Sequence, residues 1–288
     1  MKKSYAFAGI MILAAVLLVL PVQAKAEMYV EAYLGGVLGA SDSMNVTTNT
    51  TNTGGIGFLN GTYNHNMPGQ LDSAFMGGLK IGTWFVKEGV LGFNYPEWMK
   101  YLGFYLDFNY HRLNYRHQDG VTAISHTFLG FGPSVGATSN ELFSEGTAAT
   151  LAFMFAARYG FLPDSEVPFG RLQPYIGVGP AILFSSQRPK LTVRPYTTTG
   201  GGLGVTSLAS QTYDPGSASS ADICLAVETG IRYMALKNVS IDVSFKYRYA
   251  QPNYSYTVTD PYDGVRKNFS LSPTYNLFSG QVGAAYHF

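Results

Sequence analysis

Apolar and polar residues alternate along residues 238–249, which read N-V-S-I-D-V-S-F-K-Y-R-Y. The odd-numbered positions are apolar or aromatic, and the even-numbered ones include Asp242, Lys246 and Arg248. A period of two places the two sets on opposite faces of a β-strand. In a soluble sandwich the apolar face is buried, whereas in a transmembrane barrel it meets lipid and the charged face lines the lumen. The pattern therefore predicts a strand and leaves both folds open.

Seven further segments alternate in the same way and predict seven more strands. They are residues 28–39, 71–85, 99–113, 146–159, 171–184, 221–234 and 273–288. The connections between the eight predicted strands are alternately long and short. The long ones, rich in Gly, Ser, Thr and Asn, span about residues 40–70, 114–145, 185–220 and 250–272. We expect the first to be a mobile polar loop that buries no core, while in the second residues 121–131 could extend a strand.

Long outer loops and short periplasmic turns are typical of outer-membrane barrels. A soluble sandwich or a lipocalin-like barrel gives no reason for this alternation of connection lengths. The fold class predicted is all-β, an eight-stranded antiparallel up-and-down transmembrane β-barrel. Ten strands remain possible if one long connection contains a hairpin.

Composition favours the membrane barrel over the soluble alternatives. Only 13% of the residues are charged, 15% are aromatic and 33 are glycine, whereas soluble domains carry about 25% charged residues. After the N-terminal segment, no run of 18 apolar residues could form a membrane helix. The 19 basic and 18 acidic residues nearly balance, so nucleic acid is not an expected partner. The single cysteine, Cys224, excludes an intramolecular disulfide and is expected to pack in the lumen.

Residues 1–26 are predicted to be a secretory signal peptide. Two lysines precede an apolar core at about residues 6–20, and Pro21 ends it. Small residues allow cleavage after Ala24 or Ala26, and the choice between them stays open. Residues 27–288 would then form the barrel, and we expect it in the outer membrane of a Gram-negative bacterium.

If the apolar faces meet lipid, nine charged residues point into the lumen. They are Glu31, Lys80, Asp107, Arg158, Glu228, Arg232, Asp242, Lys246 and Arg248. The interior of an eight-stranded barrel is only wide enough for side chains, and unpaired buried ions are costly. We therefore expect these charges to form an ion-pair network. A structural network that closes the lumen and a gate or selectivity element are both compatible with it.

One register can be predicted for the hairpin of the sixth and seventh strands. A three-residue loop, 236–238, with Asn238 in the left-handed region would place Ala235 opposite Val239. Arg232 then faces Asp242, and Glu228 faces Lys246, with all four side chains inward.

Two local features need separate explanations. Pro174 and Pro180 fall inside the fifth predicted strand, where each removes a ladder donor, and a β-bulge is the expected accommodation. Aromatic residues cluster near the short turns and the C-terminus and are interpreted as a periplasmic girdle. They are Trp84, Phe85, Phe93, Tyr95, Trp98, Tyr159, Phe161, Tyr286 and Phe288.

The C-terminal strand, F-S-G-Q-V-G-A-A-Y-H-F at 278–288, resembles the terminal β-signal of bacterial outer-membrane barrels. The resemblance implies that Phe278, Val282, Tyr286 and Phe288 are read by the barrel-assembly machinery. The segments P-Y-I-G-V-G-P-A at 174–181 and Y-V-E-A-Y-L-G-G at 29–36 are similar to the outer membrane protein A/opacity-type family of small barrels. That family includes adhesins, anchors and narrow channels. The peptidoglycan-binding domain of some members is not expected here, which argues against a cell-wall tether.

The function expected is a structural or surface-interaction role with a lumen filled by ion pairs. A narrow, low-conductance, porin-like channel gated by the lumen charges is the alternative, and a lipid-modifying outer-membrane enzyme is third. The chain contains His65, His111, His117, His126 and His287. No motif joins them to a serine and a carboxylate, and their spacing predicts no metal site. We expect no catalytic residue, metal or other cofactor. Expected partners are outer-membrane lipids and lipopolysaccharide, the assembly machinery and a possible surface ligand at the loops.

Overall fold

The computed structural model describes residues 27–50, 61–67, 69–86, 95–128, 131–198, 205–207, 210–259 and 266–288. The predicted signal peptide, residues 1–26, lies outside the described residues, as does Phe93 of the predicted girdle. A short 3₁₀ helix spans Glu97–Tyr101. Within the described ranges, no helix is long and apolar enough to cross a membrane.

Thirteen strands form one antiparallel sheet. They are β1 (Glu27–Thr50), β2 (Gly61–Met67), β3 (Ala74–Trp84), β4 (Leu102–Arg112), β5 (Tyr115–Phe128), β6 (Phe131–Arg158), β7 (Leu172–Thr198), β8 (Val205–Ser207), β9 (Gln211–Tyr213), β10 (Ala218–Leu236), β11 (Val239–Ala250), β12 (Tyr254–Thr259) and β13 (Arg266–His287).

Eight of these strands close into a ring. Its order is β1, β3, β4, β6, β7, β10, β11 and β13, and β13 pairs again with β1 from Tyr29↔His287 onward. Each ring strand overlaps one of the eight predicted strands. The prediction of an eight-stranded antiparallel up-and-down barrel is therefore confirmed.

The long connections contain β-hairpins, so the expectation of a loop over residues 40–70 was wrong for two of its parts. β1 continues to Thr50 and pairs with β2. In the other connections β5 pairs with β6, β8 and β9 pair with β7, and β12 pairs with β13. Backbone hydrogen bonds hold these ladders, and threonine fits a pleated strand well, so a polar composition does not prevent pairing. None of these additional strands enters the ring.

Burial in the barrel is inverted relative to a soluble protein. Leu34 is 74% exposed and Phe75 is 94% exposed, whereas the neighbouring inward residues Tyr33 and Met76 are at most 3% exposed. Further large apolar side chains cover the outer face: Phe155, Ile176, Val178, Ile223, Leu225, Ile231, Val243, Phe245 and Val282. Apolar residues outside and charged residues inside are the distribution of an outer-membrane barrel. The chain is a small barrel of this class and is located in the bacterial outer membrane.

Three local predictions are corrected. No bulge accommodates Pro174 or Pro180, because the β10–β7 pairing keeps one register through both prolines and the β6–β7 pairing has the same register on either side of Pro180. The β6–β7 ladder instead omits the pairs opposite Gly179 and Pro180 and then resumes in the same register. The missing N–H donor therefore interrupts the pairing locally and does not shift the register. In the β10–β11 hairpin, Leu236 rather than Ala235 faces Val239, and the irregularity lies in β10 between Met234 and Leu236.

The turn of that hairpin therefore contains two residues, Lys237 and Asn238. Among the described residues other than glycine, only Leu162 has a positive φ. The prediction that Asn238 adopts the left-handed conformation was therefore wrong. The extra residue is absorbed inside β10 instead of in the turn. From Met234↔Ser240 onward the predicted register is confirmed.

Candidate functional site

The lumen holds the nine predicted charged residues in one buried column. Each of them is at most 3% exposed, although isolated charges are rarely buried in proteins. Alternation along the strand accounts for the inward direction of these side chains, since each is next in sequence to an apolar residue that faces outward. The structure adds a tenth charged residue, Glu27, whose side chain is 25% exposed at the end that carries the short turns.

Cross-strand pairing places opposite charges side by side along the ring. Glu31 is paired with Lys80, and Lys80 with Asp107. The predicted pairs Arg232↔Asp242 and Glu228↔Lys246 are likewise adjacent. Arg232 Nε lies 3.5 Å from Asp242 Oδ2, and Lys246 Nζ lies 3.4 Å from Glu228 Oε2.

The shortest contacts nevertheless cross the lumen instead of following the hairpin. Lys246 pairs with Asp107. Arg232 Nη2 lies 2.6 Å from Glu31 Oε2, and Lys80 Nζ lies 2.6 Å from Glu228 Oε1. Register along a hairpin could not predict these partners, because they depend on closure of the ring.

Glu228 is the centre of this network. Its Oε1 accepts hydrogen bonds from Lys80 Nζ, from the Tyr175 hydroxyl at 2.9 Å and from Gln281 Nε2 at 3.0 Å. Its Oε2 accepts one from the Tyr105 hydroxyl at 3.0 Å. Charge-assisted hydrogen bonds of this kind are stronger than neutral ones, so Glu228 ties several ring strands together.

Tyrosine side chains surround the central charged residues of the lumen. The Tyr33 hydroxyl donates to Asp107 Oδ1 at 2.5 Å. Lys80 Nζ lies 5.2, 5.8 and 5.9 Å from the ring centres of Tyr33, Tyr105 and Tyr175, within the range of cation–π attraction. Sequence reasoning missed these tyrosines. Their inward parity in the same strands was the available signal.

A second cluster surrounds Arg158 at the end of the barrel that carries the short turns. Its guanidinium donates two hydrogen bonds to Glu27, at 2.7 and 2.5 Å, and one to Gln173 Oε1 at 2.9 Å. The guanidinium carbon lies 4.2 Å from the Trp84 ring centre and 4.1 Å from that of Phe169. Trp84 is 3% exposed, so its assignment to the outer aromatic girdle was wrong. Its position in β3 has the inward parity of Lys80.

Among the other girdle residues that the structure describes, Phe85 and Tyr95 are half-buried and the rest are exposed. Trp98 is 61% exposed, and Tyr159 and Phe161 are 55% and 48% exposed. Tyr159 stacks on Tyr101, with ring centres 5.8 Å apart. These side chains lie around the short turns.

Arg248 occupies the end of the charged column that is nearer the long connections. Its Nη1 donates to Asn109 Oδ1 at 2.5 Å and to Thr150 Oγ1 at 3.0 Å. Within the described residues, no carboxylate lies within ion-pair distance of Arg248. Above it, a buried layer closes the interior, made by Leu113, Tyr115, Leu142, Tyr254, Leu271 and Tyr275. The column is thus covered at both ends.

The five carboxylates and five cations of the column balance in formal charge. The carboxylates are those of Glu27, Glu31, Asp107, Glu228 and Asp242. The cations are Lys80, Arg158, Arg232, Lys246 and Arg248. The formal charges of the column therefore cancel in sum, although Arg248 itself is held by Asn109 and Thr150 and not by a carboxylate.

One histidine lies in a constellation that resembles a hydrolytic triad. Ser240 Oγ and His287 Nε2 are 2.9 Å apart, and His287 Nδ1 lies 3.8 Å from Glu27 Oε1. A cavity of about 240 Å³ at the same end of the barrel is lined by Glu27 and His287 among others, but Ser240 is not in its lining. Ser240 is 0% exposed, and the Glu27 carboxylate is held by Arg158.

The predicted assembly-signal residues share the outer face of β13. Phe278, Val282, Tyr286 and Phe288 are 36%, 57%, 51% and 55% exposed. The structure thus presents them toward lipid on one strand. Cys224 is buried in β10, facing the interior.

No protein-family model and no curated protein sequence matches the chain. Among solved structures, the chain is similar to the outer membrane protein OprG from Pseudomonas aeruginosa, with 11% identity, a TM-score of 0.44, and coverage of 92% of this chain and 97% of that one. Neisserial surface protein A matches with 15% identity, a TM-score of 0.27 and coverage of 91% and 97%. The outer membrane protease OmpT from Escherichia coli matches with 10% identity, a TM-score of 0.33 and coverage of 91% and 97%.

Proposed function

We propose that the protein is a surface scaffold of the outer membrane protein A/opacity type, with a permanently filled lumen and an interaction role carried by its extracellular hairpins. The observation that supports this proposal is the self-neutralising charged column, buried throughout the lumen and covered at both ends. A barrel of eight strands needs its interior filled. Binding residues are commonly presented on loops held by a rigid scaffold.

The test is single-channel conductance of the refolded barrel in a planar lipid bilayer, beside an Arg232→Ala/Lys246→Ala variant. The wild-type barrel is expected to be silent. A silent variant would agree with a packed interior, because the tyrosines and the two covering layers remain. Discrete wild-type openings whose ion preference changes in the variant would contradict the proposal and support the charge-gated channel.

We also propose that the protein binds and does not catalyse. The Ser240–His287–Glu27 set supports a structural interpretation, because the serine is inaccessible and the carboxylate is paired with Arg158. A triad needs its carboxylate hydrogen-bonded to the imidazole, and 3.8 Å exceeds that distance. Labelling the refolded barrel with a fluorophosphonate tests this proposal, with Ser240→Ala as control. Labelling that is lost in the variant would refute it.

For assembly, we propose that the outer aromatic residues of β13 are read by the barrel-assembly machinery. Their exposure along one face supports this role. Lipid and lipopolysaccharide are the proposed partners of the apolar outer band, and a surface ligand would bind at the extracellular hairpins. A polar, nearly neutral hairpin surface favours a protein or glycan ligand over nucleic acid.

A further inference from the structure

The extracellular hairpin of β5 and β6 brings three metal-ligating side chains together on its outer surface. Asp119 and Glu141 are directly paired across the two strands. His117 lies two residues before Asp119 and points to the same side. The imidazole and the two carboxylates each offer one ligand atom, and these atoms all lie within 4.8 Å of one another.

A bulge in β5 creates this arrangement. Leu113 and Tyr115 are buried, so continued alternation would turn His117 inward. The register shifts between Tyr115 and Gln118, and Arg116 and His117 are consecutively exposed. Bulges re-aim side chains in this way. The extra residue is what places the His117 imidazole beside the two carboxylates.

The distances suit a shared cation better than hydrogen bonds. His117 Nε2 lies 3.7 Å from Asp119 Oδ1 and 3.8 Å from Glu141 Oε2, beyond the reach of a good hydrogen bond. Zinc bonds to nitrogen and oxygen are about 2.0–2.2 Å long, so two ligand atoms at a tetrahedral angle lie roughly 3.4 Å apart. The two separations from His117 exceed this value by only about 0.3–0.4 Å. The two carboxylate oxygens lie within 4.8 Å of each other, so rotation of the exposed side chains is needed to close the set around one ion.

The Glu141 carboxylate is also paired with Arg194, on the side away from His117. Arg194 Nη2 lies 2.7 Å from Glu141 Oε1, which leaves Oε2 as the oxygen that faces His117. Such outer contacts orient a ligand, although the positive charge of Arg194 also opposes a cation. His117 and Asp119 are 61% and 72% exposed, so water can complete the coordination.

We propose that His117, Asp119 and Glu141 form a surface site for a divalent transition-metal ion of the zinc type. Imidazole nitrogen favours zinc, copper and nickel over the hard ions calcium and magnesium, which prefer all-oxygen sites. The bound ion would join the two strands of the hairpin. This site is independent of the lumen and would bind metal whether or not the barrel conducts.

The test is an isothermal titration calorimetry experiment in which Zn²⁺ is added to the refolded full-length barrel in chelator-free detergent micelles. One equivalent of zinc is expected to bind, and His117→Ala is expected to weaken its affinity at least tenfold. His126→Ala, which removes another imidazole from the same hairpin sequence, is the matched control and should leave the affinity unchanged. Calcium should not displace the zinc.

A second variant keeps the test independent of any loss of folding. Arg194→Gln removes the opposing charge, while the amide N–H of the glutamine can still donate to Glu141 Oε1 and keep that carboxylate oriented. Every ligand is preserved, so this variant should tighten zinc binding several-fold. Each protein's fold is checked by heat-modifiable electrophoretic mobility. An unchanged zinc affinity in His117→Ala, displacement by calcium at equal concentration, or weaker binding in Arg194→Gln would each overturn the proposal.

Discussion

Removing the charge of Glu228 tests the energetic role of the lumen network most directly. In Glu228→Gln the side chain keeps its size, and its carbonyl can still accept from Tyr105 or Tyr175. Lys80 keeps Glu31 at 2.9 Å and Asp242 at 3.8 Å, and Lys246 keeps Asp107. Breaking one side of a buried ion pair costs about 3–5 kcal/mol. Because both lysines retain a carboxylate, we expect a loss of unfolding free energy of about 3 kcal/mol.

Lys246→Met provides the contrast. It leaves the Asp107 carboxylate with the Tyr33 hydroxyl as its remaining contact among those described above, so the cost should lie nearer the upper end, about 5 kcal/mol. Adding Asp107→Asn should recover part of that loss, because the two residues form one pair and their effects are not additive. The reverse order, Glu228→Gln costing more than Lys246→Met, would contradict the contact pattern seen here.

The assay is urea-induced unfolding of the refolded barrel in micelles, monitored by tryptophan fluorescence and electrophoretic mobility. Asp214→Asn is the control, since it removes a carboxylate from an exposed pair with Arg188 and exposed pairs contribute little. If Glu228→Gln is no more destabilised than this control, the argument that the charged column stabilises the lumen is refuted.

Three further predictions concern the packing, the assembly and the periplasmic turn. Gly82→Ala should destabilise the barrel by about 1–3 kcal/mol, because a Cβ there would lie 2.7 Å from the Tyr29 ring; Gly36→Ala, which meets nothing within 4 Å, should be tolerated in the same unfolding assay. Deleting Phe288 should reduce insertion in cells, measured by outer-membrane fractionation, and normal insertion would count against the assembly-signal proposal. Hydrogen bonds from the Val167 backbone and from Arg171 lower the pKa of Asp164 below 3.8. The ionised Asp164 carboxylate therefore stabilises this turn above about pH 4, and the stabilisation is lost as the pH falls through the lowered pKa. Hydrogen exchange at the Val167 amide should show this pH dependence, and Asp164→Asn should abolish it.

Sequence alone determined the barrel because its physical causes are local. Strict alternation in segments such as 238–249 fixes which side chains face which side of a strand, and eight such segments with alternating connection lengths determine an up-and-down barrel. The direction of each lumen charge followed from the same parity. The Arg232↔Asp242 and Glu228↔Lys246 register was also predicted correctly from charge and face parity, although the turn proposed for it was wrong and the extra residue lies inside β10.

Only the tertiary structure decided which charges are primary partners, because the shortest contacts cross the lumen between strands far apart in sequence. Lys246 pairs with Asp107, and Arg232 pairs with Glu31, once ring closure brings these strands together. Backbone pairing in the polar connections, and the bulge that turns His117 outward, likewise depend on how strands meet. The pattern of residue types predicts which face of a strand a side chain occupies, whereas barrel closure and strand register determine which side chains it contacts.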